Sequence, residues 1–319
     1  MRTLLKWLSA CAVAAASVTA HGQAFPSKPV RIISPYAAGG LGDVFPRALA
    51  VGWSEDLGQP VIVDNRPGAS QIIGAQVVAK SPPDGYTVLF GSVTTFAINV
   101  STQKSLPYDP IKDFTPISMA FSTPLWLVVS PKLPATSMAE FLALAKAQPG
   151  KLTFGSGGQG SSTHLAVELL KSMAGIDLVH VPYKGAGPAM IDVMAGTLDM
   201  MIEGSGLTYA RDGKVRLLAI TSARRSEAAP TVPTVAESGV TGYESAIWFG
   251  MAGPAGLPRP VVERLARATA KAVASPSLRD KFRSLDLDAS TPEAMAALIR
   301  SEIPKYRKVV QDAKLAPAD

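Results

Sequence analysis

The chain has 319 residues, of which 47% are hydrophobic and only 18% charged, with one cysteine and a formal net charge of +6. That length accommodates two domains with buried cores, and the composition excludes a disordered chain, a collagen-like repeat, a coiled coil and a disulfide scaffold. The basic residues are scattered and form no stripe, which argues against nucleic acid as a partner.

The first residues read as an address. Met1-Arg2-Thr3-Leu4-Leu5-Lys6 is a basic start, Trp7 to Ala20 an apolar run too short to span a bilayer, and Gly22 and Ala24 are small residues ahead of Phe25. This order is that of an export signal over residues 1–24, with cleavage expected near Ala24/Phe25 and a periplasmic destination. Cleavage there removes Arg2, Lys6 and Cys11, which leaves 29 basic against 25 acidic residues, a charge of +4. The remaining histidines, His164 and His180, are spaced unlike any zinc motif. No metal and no cofactor is therefore expected.

From Phe25 onward, strands and helices alternate. Pro29 to Ser34 is predicted as a buried strand, Ala38-Gly39-Gly40-Leu41-Gly42 as a loop, Asp43 to about Asp56 as a helix, and Pro60 to Asp64 as a second strand. Ile72 to Lys80 reads as helical, and Thr87-Val88-Leu89-Phe90 as a third strand ending in Gly91-Ser92. The rhythm restarts after residue 120. Leu125 to Val129 is a strand, Ser137-Met138-Ala139-Glu140 a capping box for a helix to Gln148, and Pro149-Gly150 its stop. Leu152 to Gly155 is a strand, followed by a glycine–serine loop and a helix over about Ser162 to Met173. Leu178 to Val181 and Val215 to Ile220 are further strands. Residues 260–274 form an amphipathic helix opened by Pro260, and Thr291-Pro292 caps a last helix that Pro304 is expected to kink. Continuous apolar strands separated by helices argue for an α/β fold with mostly parallel sheets covered on both faces. The unit recurs in two blocks, which suggests two α/β domains. Ligands in such sheets sit beyond the carboxyl ends of the strands, where loops enter helices.

Three such loops favour an anion. The sharpest contains Gly155, Ser156, Gly157, Ser161, Ser162, Thr163 and His164. Its glycines formally satisfy the dinucleotide pattern, but the next strand ends in Val181-Pro182-Tyr183-Lys184 with no carboxylate for a ribose. What survives is an anion pocket made by exposed backbone N–H groups, hydroxyls and the positive end of a helix. A glycine turn with an ordinary serine cap is the plainer alternative, and His164 alone also reads as a core histidine. The second loop holds Tyr36, Ala37, Ala38, Gly39, Gly40 and Asp43, with Asp43 read as a helix cap before a ligand contact. The third holds Tyr183 and Lys184, a lysine that also reads as a solvated surface residue. Ser92 and Thr94, after the third strand, are a fourth candidate contribution. No nucleophile elbow, Walker loop or H-E-x-x-H is present, and a Ser156–His164 pair lacks an orienting third group.

Taken in order and spacing, these segments resemble the tripartite tricarboxylate transporter receptor family, the Bordetella uptake gene (Bug) family of periplasmic solute-binding proteins. The resemblance runs through Phe25-Pro26-Ser27-Lys28-Pro29, Ala38-Gly39-Gly40-Leu41-Gly42-Asp43, Val63-Asp64-Asn65-Arg66-Pro67-Gly68-Ala69 and Pro83-Asp84-Gly85-Tyr86-Thr87. It continues through Tyr108-Asp109-Pro110, Gly155-Ser156-Gly157 with His164-Leu165, Val181-Pro182-Tyr183-Lys184-Gly185 and Pro230-Thr231-Val232-Pro233-Thr234. It implies a two-lobed Venus flytrap, with residues 25–122 plus 247–319 as lobe 1 and 123–246 as lobe 2. It also implies a small carboxylate held between the lobes, partly through water, and no catalysis. Membrane subunits of a tripartite transporter are the implied partners, and a monomer the implied state; a sensing protein without a transporter, or an exported enzyme acting on a carboxylic acid, are the alternatives. By position, Tyr36 to Gly40, Asp43, Ser92 and Thr94 serve lobe 1, and Gly155 to Gly157, Ser161 to His164, Tyr183 and Lys184 serve lobe 2. Trp126 and Trp248 fall near the hinge. Two departures stand out. Tyr36-Ala37-Ala38 replaces the family's commoner Phe-Pro-Pro, and Glu203 stands where an aspartate is common, either facing a ligand amine or solvated in its loop.

Overall fold

The structure, a computed structural model, describes residues 25–39, 41–183, 186–283 and 285–317. The expected export signal, Gly40 and Lys184 lie outside the described residues.

The first sheet is nucleated by three apolar strands, β1 (Val30–Ser34), β2 (Val61–Asn65) and β3 (Thr87–Ser92), paired in parallel with β1 at the centre. Helix α1 (Leu41–Leu57) joins β1 to β2 and buries Phe45, Leu49 and Trp53 against the sheet. Helix α2 (Ile72–Ala79) joins β2 to β3 and packs Ala75 and Val78 on the other face. Two long strands complete the sheet: β4 (Phe114–Pro124) and, from far along the chain, β10 (Ala246–Pro254). The order is β2-β1-β3-β10-β4, and β10 runs against both neighbours, with Phe249 opposite Ser92 on one side and Phe121 on the other.

The second sheet repeats this plan. It contains β5 (Trp126–Val129), β6 (Thr153–Ser156), β7 (Val179–Pro182), β8 (Met200–Glu203) and β9 (Arg216–Ile220), in the order β7-β6-β8-β5-β9. Here β5 is the reversed strand, antiparallel to β8 and β9, while β6 is parallel to β7 and β8. Both sheets are thus mixed, each with a single strand against the rest. The reason is connectivity: the reversed strand in each sheet is the one that arrives from the other sheet. Helices α3 (Met138–Ala147), α4 (Ser162–Ala174), α5 (Ala186–Ala195) and α6 (Gly206–Arg211) cover it. The cap of α3 forms as its sequence requires, Ser137 Oγ accepting the Glu140 N–H at 3.2 Å while the Glu140 carboxylate accepts from the Thr136 N–H at 2.7 Å.

The chain passes from the first sheet to the second between Pro124 and Trp126 and returns between Ile220 and Ala246. The two crossings are stitched side by side. The buried Thr221 donates its N–H to Leu125 O and exchanges its hydroxyl with the Leu125 backbone, and Ser245 N–H donates to Thr221 O.

Helices α7 (Arg259–Ala274), α8 (Pro276–Lys281) and α9 (Pro292–Asp312) follow β10. Thr291 caps α9 with Pro292 at its first position, and the helix continues through Pro304. Its first half lies on the first sheet. Farther along, Ile303, Tyr306 and Val310 share a core cluster with Leu165 of α4, and Ser172 donates to Asp312 at 2.7 Å. The last helix therefore reaches across to the second lobe. Among the described residues, no helix is long and apolar enough to cross a membrane.

Candidate functional site

The β1–α1 loop is held from both ends. Asp43 is buried at 6% exposure, and its carboxylate accepts from the Gly39 N–H at 2.9 Å and Arg47 Nε at 2.7 Å. Arg47 also reaches Asn65, whose amide donates to Tyr36 O at 3.1 Å. The Gly39 N–H, foremost, holds the Asp43 carboxyl below its usual range despite burial, with Asn65 and Arg47 assisting. Asp43 thus fixes the loop ahead of the helix from within its first turn. The Tyr36 ring lies on Gly42, where a Cβ would sit 2.2 Å from its Cγ, and faces Phe249 at 5.9 Å. Its hydroxyl is buried beside Ser92 but completes no hydrogen bond, and burial pushes its pKa up. Ala37, Ala38 and Gly39 remain exposed at the loop tip.

Ahead of α2, the backbone of Gly68, Ala69, Ser70 and Gln71 takes φ values of 121°, 45°, 51° and 78°. A run of left-handed non-glycine residues is costly and persists only where neighbours impose it. They do so here. Gln71 Oε1 accepts from Ser92 Oγ at 3.0 Å and Thr95 Oγ1 at 2.5 Å, and Asn99 Nδ2 donates to Ser70 O at 2.9 Å. Ser92, expected to meet a ligand, is spent on Gln71 and on the Thr94 N–H.

The β6–α4 loop is closed on itself. Gly157 N–H donates to Thr163 Oγ1 at 3.0 Å, Gly158 N–H to Ser156 Oγ at 3.1 Å, and Gly160 N–H to His164 Nδ1 at 3.0 Å. Ser161 caps α4 by accepting from the His164 N–H. Beneath the loop, the rings of His164 and His180 stack at 3.7 Å, Phe154 packs on His180 at 4.8 Å, and Ser156 Oγ meets His180 Nε2 at 2.7 Å. Ser156 and His164 are buried at 0% and 1% exposure. Several donors expected to face an anion therefore build the loop itself. His164 is buried and stacked on His180, and the hydroxyl of Ser156 pairs with His180, not His164.

A cavity of about 420 Å³ lies between the two halves. Ser70, Gln71, Thr94 and Asn99 wall it from the first, and Gly157, Gln159, Ser161 and Ser162 from the second. Of the residues singled out from the sequence, it brings together Thr94, Gly157, Ser161 and Ser162. Ser70, Gln71, Asn99 and Gln159 were missed; a small-residue turn before an apolar helix was the signal at Ser70-Gln71, and nothing marked the others. Tyr183 and Glu203 point elsewhere. The Tyr183 hydroxyl donates to Asp192, which with burial pushes its pKa up to about 12. The Glu203 carboxylate accepts from the N–H and hydroxyl of Ser205, closing the turn after β8. Gly155 is packed against Leu198 and Ala189 without room for a side chain.

The family described as the tripartite tricarboxylate transporter family receptor matches residues 45–315. BugT of Bordetella pertussis is 36% identical over 306 residues, 94% of this chain and 94% of its own length. Among solved structures, a Rhodopseudomonas palustris protein with adipate is similar at a TM-score of 0.77 and 35% identity, covering 92% of this chain and 100% of that one. MatC of the same organism, with bound malate, is similar at a TM-score of 0.73 and 30% identity, covering 90% and 100%.

Proposed function

The chain belongs to the tripartite tricarboxylate transporter receptor family, that of the Bug solute-binding proteins, and on that premise we propose that it captures a small organic acid between its lobes. The observation that carries this reading is the cavity walled by both halves, with Gln71 and Thr94 on one side and Gly157, Ser161 and Ser162 on the other. A ligand favours closure only by contacting both halves, and this placement supplies that contact. Hydroxyl and side-chain amide donors suit a carboxylate, with ordered water completing its shell. Adipate and malate in the similar structures support an acid as the ligand.

The lobes are assigned as residues 25–122 with 247–319, and 123–246, within a few residues of where the strands change sheets. The exposed tip at Ala37, Ala38 and Gly39 closes over the ligand from lobe 1. The protein performs no chemistry. It works in the periplasm, after loss of residues 1–24, as a monomer that delivers its ligand to membrane subunits.

A thermal-shift screen of residues 25–319 against mono- and dicarboxylates, aromatic acids, amino acids and neutral sugars tests this. Stabilisation should grow with acid concentration as linkage requires. Stabilisation by sugars and by no acid would refute the reading, and turnover of a stabilising acid would make the protein an enzyme.

A further inference from the structure

The wall of the interlobe cavity is not uniform. Besides its polar residues it contains Val310, Leu315 and Ala316, from the end of α9 and the tail beyond it. This segment is set in place by its backbone. Lys314 takes φ 51°, its N–H donates to Gln311 O at 3.0 Å, and Leu315 N–H donates to Val310 O at 3.0 Å. That is the paired bonding of a Schellman turn, which brings the residue after the left-handed position onto the last helical turn. Leu315 is thereby laid beside Val310, both lining the cavity. The turn is anchored in turn, because α9 is pinned to α4 through Leu165, Tyr306 and the Ser172–Asp312 hydrogen bond.

Among the described residues lining the cavity, none carries a charge. The hydroxyl donors that suit a carboxylate, at Thr94 and Ser162, are joined by an apolar surface at Val310 and Leu315. A second carboxylate placed against that surface loses its hydration with no partner, which is strongly unfavourable. A methylene chain or ring placed there gains burial. We propose that the cleft selects acids with one carboxylate and an apolar body, and that Leu315, supported by Val310, is the residue that sets this preference. The inference rests on the organic-acid reading of the cleft and narrows it.

The test is calorimetric titration of residues 25–319 with hexanoate and adipate, which share a six-carbon chain and differ by one terminal carboxylate. Hexanoate should bind at least about tenfold more tightly than adipate. Leu315→Arg should reverse the order, weakening hexanoate and strengthening adipate by an ion pair to its far carboxylate, which a merely structural role for Leu315 does not predict. Leu315→Gln serves as the second variant, its melting curve checking the fold, and should weaken hexanoate while leaving adipate little changed. Adipate binding the unsubstituted protein as tightly as hexanoate overturns this inference alone, as does an equal effect of both substitutions on both acids. Absence of binding by any carboxylate in the wider screen overturns the organic-acid reading and this inference with it.

Discussion

Acidification from about pH 7.5 to about pH 5 should weaken the fold through His180. Its ring is stacked on His164 at 3.7 Å and packs against Phe154 at 4.8 Å, and its Nε2 is bonded to Ser156 at 2.7 Å. Burial, and after it the charge of His164, lowers its pKa from 6.5 to about 4; Glu168 pulls the other way, and Lys171 adds a small push down. The sign follows directly. Between these two values the unfolded chain binds a proton that the folded chain refuses, so stability falls as pH drops through this window. Comparing proton binding in the two states, the loss between about pH 7.5 and pH 5 is about 2 kcal/mol. The Glu168 carboxyl is held below its usual range by its hydrogen bonds to His164 and Lys171 in spite of burial. Urea unfolding of residues 25–319 and of His180→Gln at both pH values reads the effect. The variant loses stacking at each pH equally, so only the difference between the two pH values matters. Its pH dependence should be smaller by about 2 kcal/mol. Equal pH dependence in the two proteins would show that His180 is not held neutral and refute the reasoning.

Gly42→Ala should cost about 1–3 kcal/mol, because its Cβ would meet the Tyr36 ring at 2.2 Å; an unchanged melting temperature would contradict that packing. Asp56 pairs with Arg264 and, at 2.8 Å, with Lys271, tying α1 to α7, so Asp56→Ala should lose about 1–2 kcal/mol. A double-mutant cycle with Arg264→Ala checks it, and full additivity would deny the coupling. The serines of the β6–α4 loop should separate. Ser156→Ala, which removes a buried hydroxyl bonded to His180 and Gly158, should lower stability by about 1–2 kcal/mol. Ser162→Ala should weaken acid binding with the unliganded melting curve unchanged, and the opposite pattern would reverse the roles assigned to them.

The αβ units were legible because their signals are local. Continuous apolar runs at β1, β2 and β3, the Ser137 cap and the Thr291-Pro292 start each declare an element within a few residues. The strands β4, β8 and β10 were not read as such, and β10 contains Gly250, Gly253 and Pro254, residues that argue against a strand interior. They are strands because of where they lie. Gly250 sits where a Cβ would meet Met295 at 2.8 Å and Ser118 O at 2.9 Å, so only the packed sheet explains the glycine.

The amino-acid sequence by itself determined an α/β chain whose strand–helix unit recurs in two blocks, with glycine-rich turns leading into helices. Its scattered basic residues argued against a basic stripe, and its motifs carried the family. The tertiary structure alone decided which donors at those turns are free. Hydrogen bonds from Gly157, Gly158 and Gly160 to Thr163, Ser156 and His164 are matters of loop closure, which no spacing rule reports. It alone decided, too, that the cavity wall includes Leu315, some 150 residues along the chain from Ser162. Local propensity acts over a few residues, whereas that wall depends on a helix from one lobe packing against the other.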